Sequence, residues 1–323
     1  MKRGADFFNL PKQTLKILPQ RLAVAWSGGA DSTALLHYLK IEGYDVSAWH
    51  IDHGWSGSSA KQAVLLAQRA EAWGIPFYCK TLRKPKQNIE AESRQLRYAA
   101  FTDMAEETQC FHLTIGHHRE DQAETVCMRL LQGAGVAGCQ GMQGVRKQGD
   151  LFLYRSFLDV EKVKIKQYLH EQNIDWIEDP SNQDVRIWRN KIRHQLFPMI
   201  QNHDVDPTAL FLRYQQQAIR VQEGIRGLAE KYVIDVIEEQ GRQGCSMDWQ
   251  EWLMQTPSVR VYLLQKMIGI LFTDGKVLGR RHFKAIEQWQ QHGANGWVSL
   301  SGCYLERQGE NLKIFKRNQK LSA

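Results

Sequence analysis

The chain lacks any apolar run long enough to cross a bilayer; its longest uncharged apolar stretch is only Met267 to Phe272. The N-terminus, MKRGADFFNLPKQ, has no apolar signal core, so cytoplasmic residence is the expectation. None of the six cysteines stands in a C-x-x-C pair, and their irregular spacing argues against a zinc site, an iron–sulfur cluster or a disulfide framework. The Walker A pattern is absent, because no lysine follows the paired glycines Gly28 and Gly29. There is no internal repeat and no low-complexity linker.

What is present fits a globular chain of 323 residues with 43% hydrophobic and 24% charged residues, enough for two domains. The formal net charge is +7. Its distribution says more than its sum. Arg186, Arg189, Lys191 and Arg193 form one basic cluster; Arg280, Arg281 and Lys284 form a second; Lys313, Lys316, Arg317 and Lys320 form a third. Any single cluster reads as a solvated face, but three in the second half favour a polyanionic partner such as nucleic acid.

Short β-type runs alternate with helical patterns through the first half. Strands are expected at 22–26, 45–51, 76–82 and 111–115, with a further one at 151–157. Helices are expected at 32–42, 59–73, 89–108 and 120–132, and near 160–172. Apolar strands separated by helices imply a parallel, doubly wound α/β sheet covered on both faces. Beyond Pro207 the pattern turns helical, at 208–240 and 257–272, and 296–316 alternates like a small β-hairpin unit turning at Gln308 to Asn311. The expected organisation is a catalytic α/β domain over 1–205 and a mainly helical domain with a small β unit over 206–323.

In parallel sheets ligands bind beyond the carboxyl ends of the strands. AWSGGADS (25–32), HIDHG (50–54) and TIGHH (114–118) all follow such ends. In the first, Gly28 and Gly29 let the backbone turn and approach a ligand closely. Ser27 and Ser32 offer hydroxyls, and the amides around Gly29, Ala30 and Asp31 open a helix whose N-terminus attracts anions. A carboxylate at Asp31 repels phosphate unless a cation lies between them, so Asp31 reads as a Mg²⁺ ligand beside a polyphosphate. GAGVAG (133–138) also matches G-x-G-x-x-G, but it follows a helical run where the dinucleotide fingerprint needs a strand. It reads as a helix C-terminal cap and a tight loop.

S-G-G-x-D-S resembles the pyrophosphate loop of the N-type ATP pyrophosphatases, which hold the β- and γ-phosphates of ATP and react at the α-phosphate. In HHREDQAET (117–125), Asp121 and Glu124 share one helix face. Two readings of them stand: a pocket for an ammonium group, or acidic residues complementing the helix N-terminus. His117 reads as a phosphate contact, a proton-transfer group or a plain turn histidine. His50 and Asp52 point to one face of their strand and His53 to the other. That strand end is expected to line the nucleotide pocket, with the backbone of Ile51 near adenine and no transition metal. Arg189 and Arg193, four apart, suit adjacent phosphate contacts or salt bridges to Glu178, Asp179 or Asp184.

Residues 117–142, SRQLRY (93–98) and EDPSN through Pro198 together resemble the signature of the tRNA(Ile)-lysidine synthases. That resemblance implies ATP and Mg²⁺ as cofactors, and as substrates free lysine and an isoleucine tRNA with a CAU anticodon. The wobble cytidine is adenylated and lysine then displaces AMP. It implies catalytic roles for Asp31, His117, Asp121, Glu124 and Arg97. ATP contacts fall at Ser27, Gly28, Gly29, Ala30, Asp31, Ser32, Ile51 and Gly116. Asp121 and Glu124 would bind lysine, and Arg94, Arg97, Arg189 and Arg193 would contact tRNA or phosphate. No membrane partner and no metal cluster are implied. The chain departs from the family pattern at Ser156-Phe157, Gln132 and Trp26, and its length fits the family's shorter architecture. The alternative is a tRNA 2-thiolation enzyme with the same loop, against which the missing C-x-x-C counts.

Overall fold

The computed structural model describes residues 7–8, 10, 15–54, 57–83, 89–239, 242–272, 278–300 and 302–317. Contacts divide the chain into two compact units, residues 1–218 and 219–323. The sequence reading placed this division at 205; the long helix Pro207–Ala229 runs through the observed one.

The first unit alternates strand and helix: β1 (Arg21–Ala25), α1 (Ala30–Ile41), β2 (Asp45–Asp52), α2 (Gly57–Ala72), β3 (Phe77–Thr81), α3 (Ile89–Thr108), β4 (His112–Ile115) and α4 (Arg119–Leu131). A hairpin, β5 (Val145–Gln148) and β6 (Leu151–Tyr154), and α5 (Lys162–Glu171) follow. The sheet order is β3-β2-β1-β4-β6-β5, parallel except for β5. Side-chain alternation explains its two cores. Leu22 and Val24 of β1 face a core with Leu35, Leu39 and Phe157. Ala23 faces the opposite core, with Trp49, Phe101 and Met104. Trp26, a departure from the family pattern, belongs to the interior: it is 1% exposed and its Nε1 donates to Thr33 Oγ1 at 3.0 Å.

Between β1 and β4 the chain reverses its direction of winding, so the crossovers on either side diverge and leave a crevice at the strand ends. After α4 the helix closes as a Schellman cap. Gly133 (φ +74) donates to Leu130 O, and Ala134 N donates to Arg129 O. The cap reading of GAGVAG is thus realised.

In the second unit the helix expected over 208–240 stops at Ala229, as the last of Pro207–Ala229, here α6. The β-branched run Val233 to Ile237 favours extended chain, and β7 (Asp235–Glu239) forms there. With β8 (Arg242–Asp248), β9 (Trp297–Leu300), β10 (Cys303–Gln308) and β11 (Asn311–Lys316) it makes an antiparallel sheet in the order β7-β8-β11-β10-β9. The turn expected at Gln308 to Asn311 closes the β10–β11 hairpin. Two helices, α7 (Pro257–Leu271) and α8 (Arg280–Gln291), supply Leu263, Met267 and Ile286 to its core. Among the described residues no helix is long and apolar enough to cross a membrane.

Candidate active site

A cavity of about 370 Å³ opens in the crevice beyond β1 and β4. Ser27, Gly29, Asp31 and Ser32 form one wall, Ile51 and His53 another, and Gly116, His117 and Asp121 a third. Arg94, Arg97 and Tyr98 complete it from α3. Three strand ends picked out in the sequence therefore meet in one place.

The loop after β1 has the conformation its glycines allow. Gly28 sits at φ +85, and a Cβ there would stand 2.9 Å from Ile177 Cδ1. Gly28 O accepts from Ile177 N at 2.9 Å, which ties the loop to the segment before EDPSN. Ser32 Oγ accepts from Ser27 N and donates to Gly29 O, at 3.2 and 3.1 Å. The amides of Ala30, Asp31 and Ser32 lie in the first turn of α1, where no intrahelical acceptor exists for them. Gly28 and Ala30 shape this loop without lining the cavity.

Gly116 makes the third wall possible. A Cβ on it would lie 3.0 Å from both Asp31 C and Ser32 N, against backbone that cannot yield. The exit of β4 thus runs directly against the loop and brings His117, His118 and Asp121 beside Asp31.

Asp31 is held by a residue the sequence reading missed. Lys162 Nζ lies 2.5 Å from both carboxylate oxygens, and Lys162 N donates to Glu120. Nothing in local spacing links positions 131 residues apart. One cue existed: a lysine in the first turn of an expected helix opposes the helix dipole and so needs another reason to be there. His118 was also missed. It donates to Glu120 at 2.9 Å, and its Nε2 lies 3.3 Å from Asp121 and 3.9 Å from Asp31. Burial works against its proton, but the bond to Glu120 and the charges of Asp121 and Asp31 outweigh burial and raise its pKa.

The two carboxylates on α4 differ in placement. Asp121 lines the cavity, and its carboxylate accepts from His118 N at 3.1 Å. Burial opposes its charge, yet His118, His117 and Arg189 hold it below the usual carboxylate range. Glu124 lies deeper, 1% exposed, and burial raises its pKa. Arg193 grips it with Nε at 2.6 Å and Nη2 at 2.9 Å, while a third bond from Nη2 reaches Asp121 at 3.2 Å. Arg189 Nε stands 3.7 Å from Glu124 and its Nη2 donates to Thr125. The salt-bridge partners expected for these arginines, Glu178, Asp179 and Asp184, are thereby corrected. The turn Ile192–Leu196 is π-helical, and its wider winding directs Arg193 inward onto α4. Arg186 pairs with Asp184 instead, so much of this basic cluster is neutralised locally.

Arg94 and Arg97 differ. Neither forms an ion pair among the described residues; the Arg94 guanidinium lies over the Tyr98 ring at 5.1 Å. Burial lowers the Arg97 pKa, a cost that an anion in the cavity would relieve. His117 is pushed down to about 4, chiefly by burial. His50 and Asp52 serve the fold: His50 Nδ1 bonds to Trp26 O, and Asp52 accepts from Gly54 N. Lys320 and the side chain of Arg280 lie outside the described residues.

Comparison with known proteins agrees with this geometry. Residues 8–200 match the PP-loop domain family. A tRNA(Ile)-lysidine synthase of Solibacter usitatus is 37% identical over 182 residues, which span 56% of this chain and 41% of that protein. The chain therefore covers under half the length of this relative. A tRNA(Ile)-lysidine synthase of Chlamydia pneumoniae is 29% identical over 301 residues, or 92% of this chain and 90% of its own. The U34-tRNA thiolase NcsA of Methanococcus maripaludis, solved with its 4Fe-4S cluster, shares the fold at a TM-score of 0.53 and 16% identity over 67% of this chain and 76% of its own.

Proposed function

This chain belongs to the PP-loop ATP-binding family, and from that premise we propose that it ligates lysine to C2 of the wobble cytidine of an isoleucine tRNA with a CAU anticodon. The observation that carries the reading is the meeting of phosphate-type and ammonium-type groups in one cavity. Loop amides and Arg94 and Arg97, which form no ion pair among the described residues, suit a polyphosphate, and Asp121 suits a lysine ammonium a short distance away. The lysidine synthases named above support the choice of substrate.

Cytosine O2 attacks the α-phosphate of ATP, and the bond to pyrophosphate breaks. The loop amides of residues 29–32 and Arg97 stabilise charge on the departing group. The lysine ε-amine then attacks the activated C2 and AMP leaves. Asp121 binds the ammonium, and a carboxylate takes its proton, because only the neutral amine is a nucleophile. Glu124 keeps Arg193 and Arg189 in place behind Asp121. Asp31 fits magnesium as a hard oxygen donor beside the phosphates, and its oxygens already hold a cation, the Lys162 ammonium. A bound ion would supply further charge neutralisation at the phosphates.

Thiolation would need an accessible sulfur carrier. Five of the six cysteines are buried, with Cys79 alone exposed, and no C-x-x-C exists. The test is incubation with ATP, radiolabelled lysine and the CAU-anticodon tRNA transcript. Label should enter the tRNA in step with AMP release. AMP release that continues without lysine, with no label incorporated, would reject the reading.

A further inference from the structure

His117 meets the cavity with one ring nitrogen already engaged. Arg155 Nε donates to His117 Nδ1 at 3.2 Å. A guanidinium has donors only, so Nδ1 must present its lone pair, and the single proton of the neutral ring sits on Nε2. Nε2 has no hydrogen-bond partner among the described residues, and the ring lines the cavity. Arg155 is itself fixed. It is 6% exposed, its Nη1 donates to Gln143 O at 2.7 Å, and its backbone N donates to Gly144 O at 2.8 Å. On the other side, His117 N donates to Ile115 O at 2.9 Å. The ring is thus held at Nδ1 and its backbone is tied to the end of β4, with one ring donor left over.

We propose that Arg155 is a positioning residue that locks His117 as a neutral Nε2–H donor, aimed at a phosphate oxygen of the bound nucleotide. His117 then stabilises charge during adenylation and does not take the proton of the lysine amine. The charged neighbours divide as this role requires. Arg155, Arg189 and His118 discourage a second proton on His117; Asp121 alone favours one, and burial decides against it. A donor fixed before the substrate arrives needs no reorganisation as charge develops. The proposal rests on the adenylation reading for its chemistry, but the tautomer itself is a property of the free protein.

Two measurements on the full chain test it. In ¹⁵N-histidine NMR at neutral pH, the signal lost in His117→Gln should report a neutral ring protonated at Nε2. In Arg155→Met the same signal should shift to a mixture of tautomers, and in Arg155→Lys it should move part of the way. A wild-type His117 that is charged, or protonated at Nδ1, would overturn the proposal whatever reaction the chain performs. In the labelled-lysine assay, His117→Gln retains an N–H donor and should lose about tenfold or less, whereas His117→Ala should lose about 10²–10³-fold. Equal losses in the two would point to a base and overturn it. Arg155→Met should slow adenylation by about 10- to 100-fold, the range seen when the outer partner that orients a metal-bound histidine is removed. If no variant and no wild type incorporates lysine, the proposed reaction fails and the NMR result alone decides the tautomer.

Discussion

The two units of this chain use their interiors differently. Near the ends of its strands the first buries His50, Asp52, His118, Asp121, Glu124 and Arg155. The second, among the described residues, buries one polar side chain, Ser246, within a core that includes Trp249, Trp252 and Trp289. Taking charge out of water is costly, and an apolar interior of the same volume is often as stable or more so. The second unit follows that rule. The first departs from it near the strand ends, where Arg193 meets Asp121 and Glu124, His118 meets Glu120, Arg155 meets Gln143 O and His117, and Asp52 meets Gly54 N. Buried charge therefore gathers in the unit that holds the cavity, and the tryptophan core of the second unit holds none among the described residues.

The sharpest way to break this contrast is Asp31→Ala. Loss of the carboxylate should reduce adenylation of the tRNA, read as pyrophosphate release, by about 10³-fold, while the urea midpoint stays near wild type, since the Asp31–Lys162 pair is partly exposed. A large fall in the midpoint would make Asp31 structural. Next comes Arg193→Ala, which leaves Glu124, at 1% exposure, with only the more distant Arg189 at 3.7 Å. Breaking such a pair costs about 3–5 kcal/mol, softened here because burial already favours the protonated acid; equilibrium unfolding measures it.

A smaller effect follows from His117. Its folded pKa of about 4 lies below the unfolded value of 6.5. Between those values the unfolded chain binds more protons, so stability rises with pH through that window and is lost on acidification toward pH 4. The loss is on the order of a few kcal/mol at most. His117→Gln should flatten this part of the stability–pH curve; identical curves would mean that His117 titrates normally. Smallest of all is Lys313→Ala, which removes the pair with Glu239 on the second unit's sheet. The change should stay within about 1 kcal/mol, and a cost equal to that of Arg193→Ala would erase the contrast between the units.

The parallel sheet and the crevice were legible because β1, β2 and β4 are apolar runs bounded by turn formers, and because helices intervene. The loop at 25–32 was legible because paired glycines, hydroxyls and a carboxylate have few uses together. Lys162 and Arg155 were not, since each acts through a contact fixed by tertiary packing across long stretches of sequence. The partners of Arg189 and Arg193 were misread for a related reason: acidic residues nearby in sequence seemed sufficient, and the π-helical turn that aims Arg193 at α4 leaves no periodic trace. In the second unit, β7 was hidden inside a longer helical pattern, though Val233 to Ile237 carried the signal that ends it.

Gly116 couples two seats that substrates would fill separately. With only a hydrogen atom between its α-carbon and the main chain at Asp31 and Ser32, the exit of β4 and the first turn of α1 cannot move closer without displacing each other. A bulkier residue at 116 must therefore push His117 and Asp121 away from Asp31, so one substitution reaches both halves of the crevice.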